Sequence, residues 1–368
     1  MVEGVFINIL KSSLWGCKID IPQNFDDWGA LLKLANSHSV LGLIAHATLS
    51  EPILEKKVPH NIRNRLKSFI VSNVAAHSIM NNTIVKIVSE LRGHSIEPIL
   101  LKGQGIAKYY PVPDLRNCGD IDLFVGEENF LQSCNAIVKM PNACLIDDAI
   151  FSTKDCHLKL GIIDVEIHKF TDVYCSKRLN RIYQRYSEIG VRENLTQVNI
   201  SGVDVLTPSL NFNIFYVFNH MFHHFMESGV GLRHVCDWVV LLHVNHSYID
   251  YDYLEQVLMR MMLIKEWQVF GCIAVDYLGL PRNEMPFYDT KYQNLSKRVI
   301  GIIMRDGSFG IVNRLNDKRP DGYILGKLHT FKRCLYRSLR LMPYFPMQSL
   351  RQIWGVFIGG IIKLYNKK

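Results

Sequence analysis

Two aspartates one residue apart are the side chains in this chain best suited to chemistry: Asp120 and Asp122, in Gly119-Asp120-Ile121-Asp122-Leu123-Phe124-Val125. Side chains of a strand alternate between its faces, so both carboxylates share one side while Ile121, Leu123 and Val125 take the other. Carboxylates placed this way repel and are costly to bury unless a cation neutralises them. Mg²⁺ is a hard, oxygen-seeking ion that suits such a seat, and it most often serves phosphate chemistry. A solvated strand face with the same alternation is the competing account.

A third acid comes from further along the chain. Residues 154–160 and 162–169 read as two strands joined around Gly161, and on the second Asp164, Glu166 and His168 share a face. A strand pairing with the Asp120 strand would bring one of these acids to the same ion. Glu166 is the expected third ligand and Asp164 the reserve, against the reading of an ordinary amphipathic strand. Two-metal phosphoryl transfer needs such a bridging carboxylate.

The elements that must position these groups follow from their neighbours. Residues 96–101 read as a buried strand running into Lys102-Gly103-Gln104-Gly105, after which a short helix over 106–110 is stopped by Pro111 and Pro113. Glycines at a strand-to-helix turn let backbone N–H groups approach phosphate closely, and Lys102 adds a point charge. Arg116, four residues before Asp120, either clamps phosphate or anchors the loop. Arg233 and Asp237 have i,i+4 spacing, which by itself predicts an intrahelical pair. In Asn219-His220-Met221-Phe222-His223-His224, His220 and His224 share a helix face; they fit a domain interface, a contact to base or acceptor, or a metal site lacking an evident further ligand.

The Lys102-Gly103 turn, the Arg116-x-x-Gly119-Asp120-Ile121-Asp122-Leu123 strand and Val165-Glu166-Ile167-His168 together resemble the polymerase-beta-type nucleotidyltransferase superfamily, and within it a bacterial branch of uncharacterised nucleotidyltransferases. The segment 27–35 resembles that family's leading helix. Gly229-Val230-Gly231-Leu232-Arg233-His234-Val235-Cys236-Asp237 resembles its later signature, and the likeness spans roughly residues 25–280. It implies an α/β (α+β) fold, a small mixed sheet flanked by helices. It also implies transfer of a nucleoside monophosphate from an NTP, with ATP the default, to an acceptor hydroxyl. Asp120, Asp122 and Glu166 would hold two Mg²⁺ ions. Lys102, Gly103, Gln104 and Gly105 would orient the phosphates, and Arg116 and Arg233 would meet the triphosphate. Gln104 stands where better-known members carry Ser or Gly, and Glu166 where Asp is usual. The alternative is a non-catalytic binding protein that keeps the fold. The acceptor is open between a small molecule, a protein and RNA.

Composition bounds the rest. With 48% apolar and 21% charged residues the chain is an ordinary globular protein, not a disordered one. Its nine cysteines are scattered without a C-x-x-C pair, which argues against a disulfide framework or zinc ribbon and for a reducing cytoplasm. Residues 1–16 do not read as a signal peptide, and no apolar run is long enough to span a bilayer. Apolar periodicity predicts helices over 25–50, 58–92, 174–186, 209–226, 231–245, 251–278 and 291–305. The expected organisation is a helical region (1–94), the nucleotide-handling core (95–207), a helical domain (208–305) and a tail (306–368), with the best boundary at 306–326. From Gly322 onward there is no acid and there are nine Lys or Arg, against a total of +8, so the rest of the chain is close to neutral. Basic residues interleaved with Tyr336, Leu339, Trp354 and Phe357 suit an anionic membrane surface, nucleic acid, or a helix on the protein's own body.

Overall fold

Apolar residues at 5, 6, 9, 10 and 14 place one buried stripe on the first helix, α1 (Val2–Trp15), an element the sequence reading left unassigned. The computed structural model describes residues 1–146, 154–310 and 323–365. The helix expected over 25–50 is two, α2 (Trp28–Ser37) and α3 (Leu41–Ser50), because Ser39 turns the chain at φ 55°. Asp27 caps α2 by accepting from the Ala30 N–H at 3.0 Å. The helix expected over 58–92 is the long α5 (His60–Gly93), preceded by the short α4 (Pro52–Lys57).

The sheet that follows has seven strands and mixed direction. They are β1 (Ile99–Leu100), β2 (Ile121–Phe124), β3 (Ala143–Leu145), β4 (Asp155–Leu160), β5 (Ile163–His168), β6 (Thr196–Ile200) and β7 (Val203–Thr207). They lie in the order β3-β4-β5-β2-β1-β7-β6. Strand β2 runs parallel to β5, with Asp122 opposite Glu166, and antiparallel to β1. On one face Ile121, Leu123, Val165 and Ile167 bury against Ile84, Ile87 and Leu91 of α5 and against Phe130 and Ile137 of α7 (Gly126–Val138). Each fully buried side chain of this size contributes about 1.5–3 kcal/mol. That dry face fixes the register, since a one-residue slip would bury the acids instead.

The opposite face is covered by helices. The short α6 (Gln104–Ala107) follows β1, and α8 (Lys177–Gly190) begins three residues later than expected. Next come α9 (Leu210–Glu227) and α10 (Leu232–Asn245), which share a core of Phe218, Trp238 and Trp267. The helix expected over 251–278 breaks at Met262, left-handed at φ 60°, into α11 (Tyr251–Met261) and α12 (Ile264–Cys272). After α13 (Gln293–Asp306), part of the expected boundary, 311–322, lies outside the described residues. The tail forms α14 (Tyr323–Leu341) and α15 (Pro346–Tyr365), packed on each other. Arg337 and Arg340 reach Asp306 at 2.9 and 3.0 Å, so part of the tail's charge is neutralised on the body. Among the described residues no helix is long and apolar enough to cross a membrane, and all nine cysteines are free thiols.

Candidate active site

Strand alternation and parallel register bring the acids together. Asp122 is buried, and its Oδ1 accepts from Lys102 Nζ and His168 Nε2, each at 3.0 Å. Glu166 lies beside it, 3.4 Å from His168 Nε2 and 3.3 Å from His157 Nδ1. Burial alone would raise the Asp122 pKa, but Lys102 and His168 hold it well below the usual carboxylate range. The charge of Asp122 pushes Asp120 the other way, upward, with burial adding to it. Asp164 is exposed and meets Lys159 at 3.7 Å, away from the cleft. Asp155 of β4, which the sequence reading did not single out, joins the group: its carboxylate is 3.4 Å from His157 Nε2. That hydrogen bond, with Glu166 nearby, raises the His157 pKa to about 9.

These residues fit divalent ions. Asp122 Oδ2 is buried without a hydrogen-bond partner among the described residues, a state a carboxylate oxygen rarely tolerates unless a cation completes it. The ligand atoms of Asp122, Glu166 and His168 fall within 4.8 Å of one another, as do those of Asp155, His157 and Glu166.

The turn before α6 delivers a cation. Gly103 adopts φ 58° and ψ −117°, a conformation that side-chain-bearing residues avoid, and this directs Lys102 into the cleft. Burial works against the charge of Lys102, but Asp122, Asp120 and Glu166 together raise its pKa. Gln104 and Gly105 do not line the cleft. The Gln104 amide instead donates to His77 Nδ1 at 3.0 Å and Asn81 Oδ1 at 2.8 Å on α5. The side chain thus anchors the turn, while the phosphate contact expected of it is not built from that amide.

The arginines divide their work differently from their spacing. Asp237 is held not by Arg233 but by Arg116, in a buried fork of 2.7 and 2.9 Å, with the Tyr110 hydroxyl donating to it at 2.7 Å. The Arg116 carbonyl in turn accepts from His77 Nε2 at 2.6 Å. Arg116 therefore anchors the loop that enters β2. Arg233 donates to the Asn117 carbonyl at 3.2 Å, and its Nε is buried without a partner among the described residues. Its position depends on how α10 starts. A Cβ on Gly231 would meet Ser308 Oγ at 1.9 Å and the His38 carbonyl at 2.9 Å, so only glycine allows α10 to begin there.

Helices α9 and α10 supply the wall opposite the carboxylates. His220 Nε2 stands 3.1 Å from Lys102 Nζ and 3.0 Å from His224 Nε2, and His234 completes a group of three imidazoles. Burial, reinforced by Lys102, pushes His224 down to about 3 and lowers His220 well below its ordinary value; His234 is lowered by burial and Arg233. His223 points elsewhere, bound to Asp172 at 2.7 Å. Sequence spacing pairs His220 with His224, but nothing in it points to His234, which arrives from the next helix. The two walls enclose a cavity of about 340 Å³, lined by Lys102, Asp120, Asp122, Glu166 and Arg233 among others.

Residues 24–279 match the family described as uncharacterised nucleotidyltransferase. No curated protein and no solved structure matches the chain. The match covers more than half of the chain, including both walls of the cleft, and the chain therefore belongs to the uncharacterised nucleotidyltransferase family.

Proposed function

We propose that this cleft transfers a nucleoside monophosphate from an NTP, ATP by default, to an acceptor hydroxyl and releases pyrophosphate. The observation that carries the reading is the facing of Asp122 and Glu166 on parallel neighbouring strands, with Asp122 Oδ2 unpaired and with Lys102 and Arg233 lining the same cavity. Asp120, Asp122 and Glu166 would hold Mg²⁺, which when bound supplies charge neutralisation at the phosphates and acidifies the acceptor hydroxyl. Glu166 accepts the hydroxyl proton as the oxygen attacks the α-phosphate in line. Lys102 and the unpartnered Nε of Arg233 hold phosphate oxygens, so the cleft works mainly by positioning and charge stabilisation. Incubation with Mg²⁺ and each labelled NTP, read as pyrophosphate release and as label on protein or acceptor, tests this. Wild-type behaviour indistinguishable from Asp122→Ala with every NTP would overturn it.

We further propose that the tail docks the protein on an anionic membrane surface from the cytoplasmic side. Tyr336 and Leu339 on α14 and Met347, Leu350, Trp354 and Phe357 on α15 recur at three- and four-residue spacing and are 49–72% exposed. Apolar stripes of this kind, in a segment rich in Lys and Arg and free of acid, suit an anionic lipid surface. Flotation with anionic and neutral liposomes, before and after deletion of residues 348–368, is the test. Binding that is absent, or the same on both lipids and blind to salt, refutes it.

A further inference from the structure

We propose that His220, His224 and His234 form a binding site for a divalent transition metal of the Zn²⁺ class, separate from the carboxylates on the sheet. The inference does not depend on nucleotidyl transfer and would stand if no NTP were turned over.

The geometry is that of a ligand set. His220 and His224 are one turn apart on α9, and His234 sits in the first turn of α10, so two helices hold the three rings. One nitrogen from each lies within 4.8 Å of the others. The Nε2 atoms of His220 and His224 are 3.0 Å apart. Nitrogens ~2.0–2.1 Å from one tetrahedral Zn²⁺ would be about 3.3 Å apart, so the two rings need separate by only a few tenths of an ångström.

The hydrogen bonding points the same way. A neutral imidazole nitrogen has one in-plane lone pair. His220 Nε2 has two claimants on it, Lys102 Nζ at 3.1 Å and His224 Nε2 at 3.0 Å. One lone pair satisfies only one of them. A metal ion resolves the conflict by taking the lone pairs of both rings, leaving Lys102 wholly to Asp122, which it already touches at 3.0 Å.

The chemistry of the donors selects the ion. Imidazole suits Zn²⁺, Co²⁺, Ni²⁺ and Cu²⁺, whereas Mg²⁺ prefers the oxygens across the cleft. Three protein ligands leave a fourth position for water or a substrate oxygen. Lys102 and Arg233 oppose a dication here, and Asp120 and Asp155, which also line the cleft, together with an anion in the fourth position offset them without Asp122 or Glu166.

Co²⁺ titration of the full-length, metal-free protein tests the proposal through the visible absorption of the bound ion. The Asp122→Asn/Glu166→Gln double variant should keep one Co²⁺ with the intense bands of low coordination. His224→Gln or His234→Gln should weaken that binding by at least ~100-fold, more than typical for loss of a mere supporting contact. His94→Gln, at an exposed site, should change nothing. X-ray absorption of the Zn²⁺-loaded wild type is independent of how the variants fold, and three imidazoles per ion are expected. Zero or one imidazole, no Co²⁺ bound by the double variant, or binding indifferent to His224→Gln and His234→Gln would each overturn the site.

Discussion

Histidines on the two walls of the cleft behave in opposite ways. On the sheet wall, His157 and His168 stand among Asp122, Asp155 and Glu166, and the carboxylates raise both pKa values, for His168 against the effect of its burial. On the helix wall, half-buried His220 and His224 and buried His234 stand beside Lys102 and Arg233, and desolvation drives them toward the neutral form. The same side chain is thus drawn toward its charged form on one side of a cavity of about 340 Å³ and toward its neutral form on the other. The contrast teaches that the cleft is polarised by its backbone elements. Strand alternation concentrates the acids, and helix packing concentrates the nitrogen ligands.

The tie between the walls is the largest lever on this contrast. Asp237→Ala leaves the Arg116 guanidinium buried and unpaired, which should cost about 3–5 kcal/mol in urea unfolding. A loss below ~1 kcal/mol would mean that the β2 loop is not anchored on α10 through this pair. Next in size, Asp122→Ala should leave circular dichroism unchanged while lowering Mg²⁺-dependent NTP turnover at least ~100-fold, above the range typical of indirect contacts. Retained turnover would remove the sheet wall from the chemistry.

The sheet wall can then be resolved residue by residue. Glu166→Gln keeps size and removes charge, and it should lower turnover at least ~10-fold. Asp164→Asn should stay within about twofold, because Asp164 pairs only with Lys159 at an exposed position. The reverse order would hand the third-acid role to Asp164. The smallest effect concerns protons. The folded-state pKa of His157 is raised from 6.5 to about 9, so its contribution to stability is full below pH 6.5 and is lost as pH rises through about 9. The side chain is 44% exposed and screened, which keeps the effect below ~1 kcal/mol. Unfolding of wild type and His157→Gln at pH 6 and pH 9.5 should therefore converge at the higher pH, and a constant gap would show that His157 is not charged in the metal-free cleft.

Much of the sheet wall was legible because its rule is local. Period-two alternation places Asp120 with Asp122 and Glu166 with His168, and the apolar partners Ile121, Leu123, Val165 and Ile167 mark the buried face without reference to any other segment. Helix breaks were less legible. Ser39 and Met262 end helices by adopting positive φ with ordinary side chains, so no glycine or proline announces them. The tail's charge was countable, but not that Arg337 and Arg340 are claimed by Asp306.

By itself the sequence determined the acid strand, the glycine turn behind Lys102 and the helical character of the flanking regions, because each depends on neighbours a few residues away. Only the tertiary structure decided who pairs with whom. Asp237 has Arg233 one helical turn away, yet it binds Arg116, 121 positions earlier in the chain. A desolvated bidentate fork is a far stronger contact than an i,i+4 neighbour on one helix. Gln104 turned from the cleft to His77 and Asn81 for a related reason, since a buried amide must find partners where the packing provides them. His234 joined His220 and His224 only because Gly231 lets α10 start hard against His38 and Ser308, a close approach that no spacing along the chain encodes.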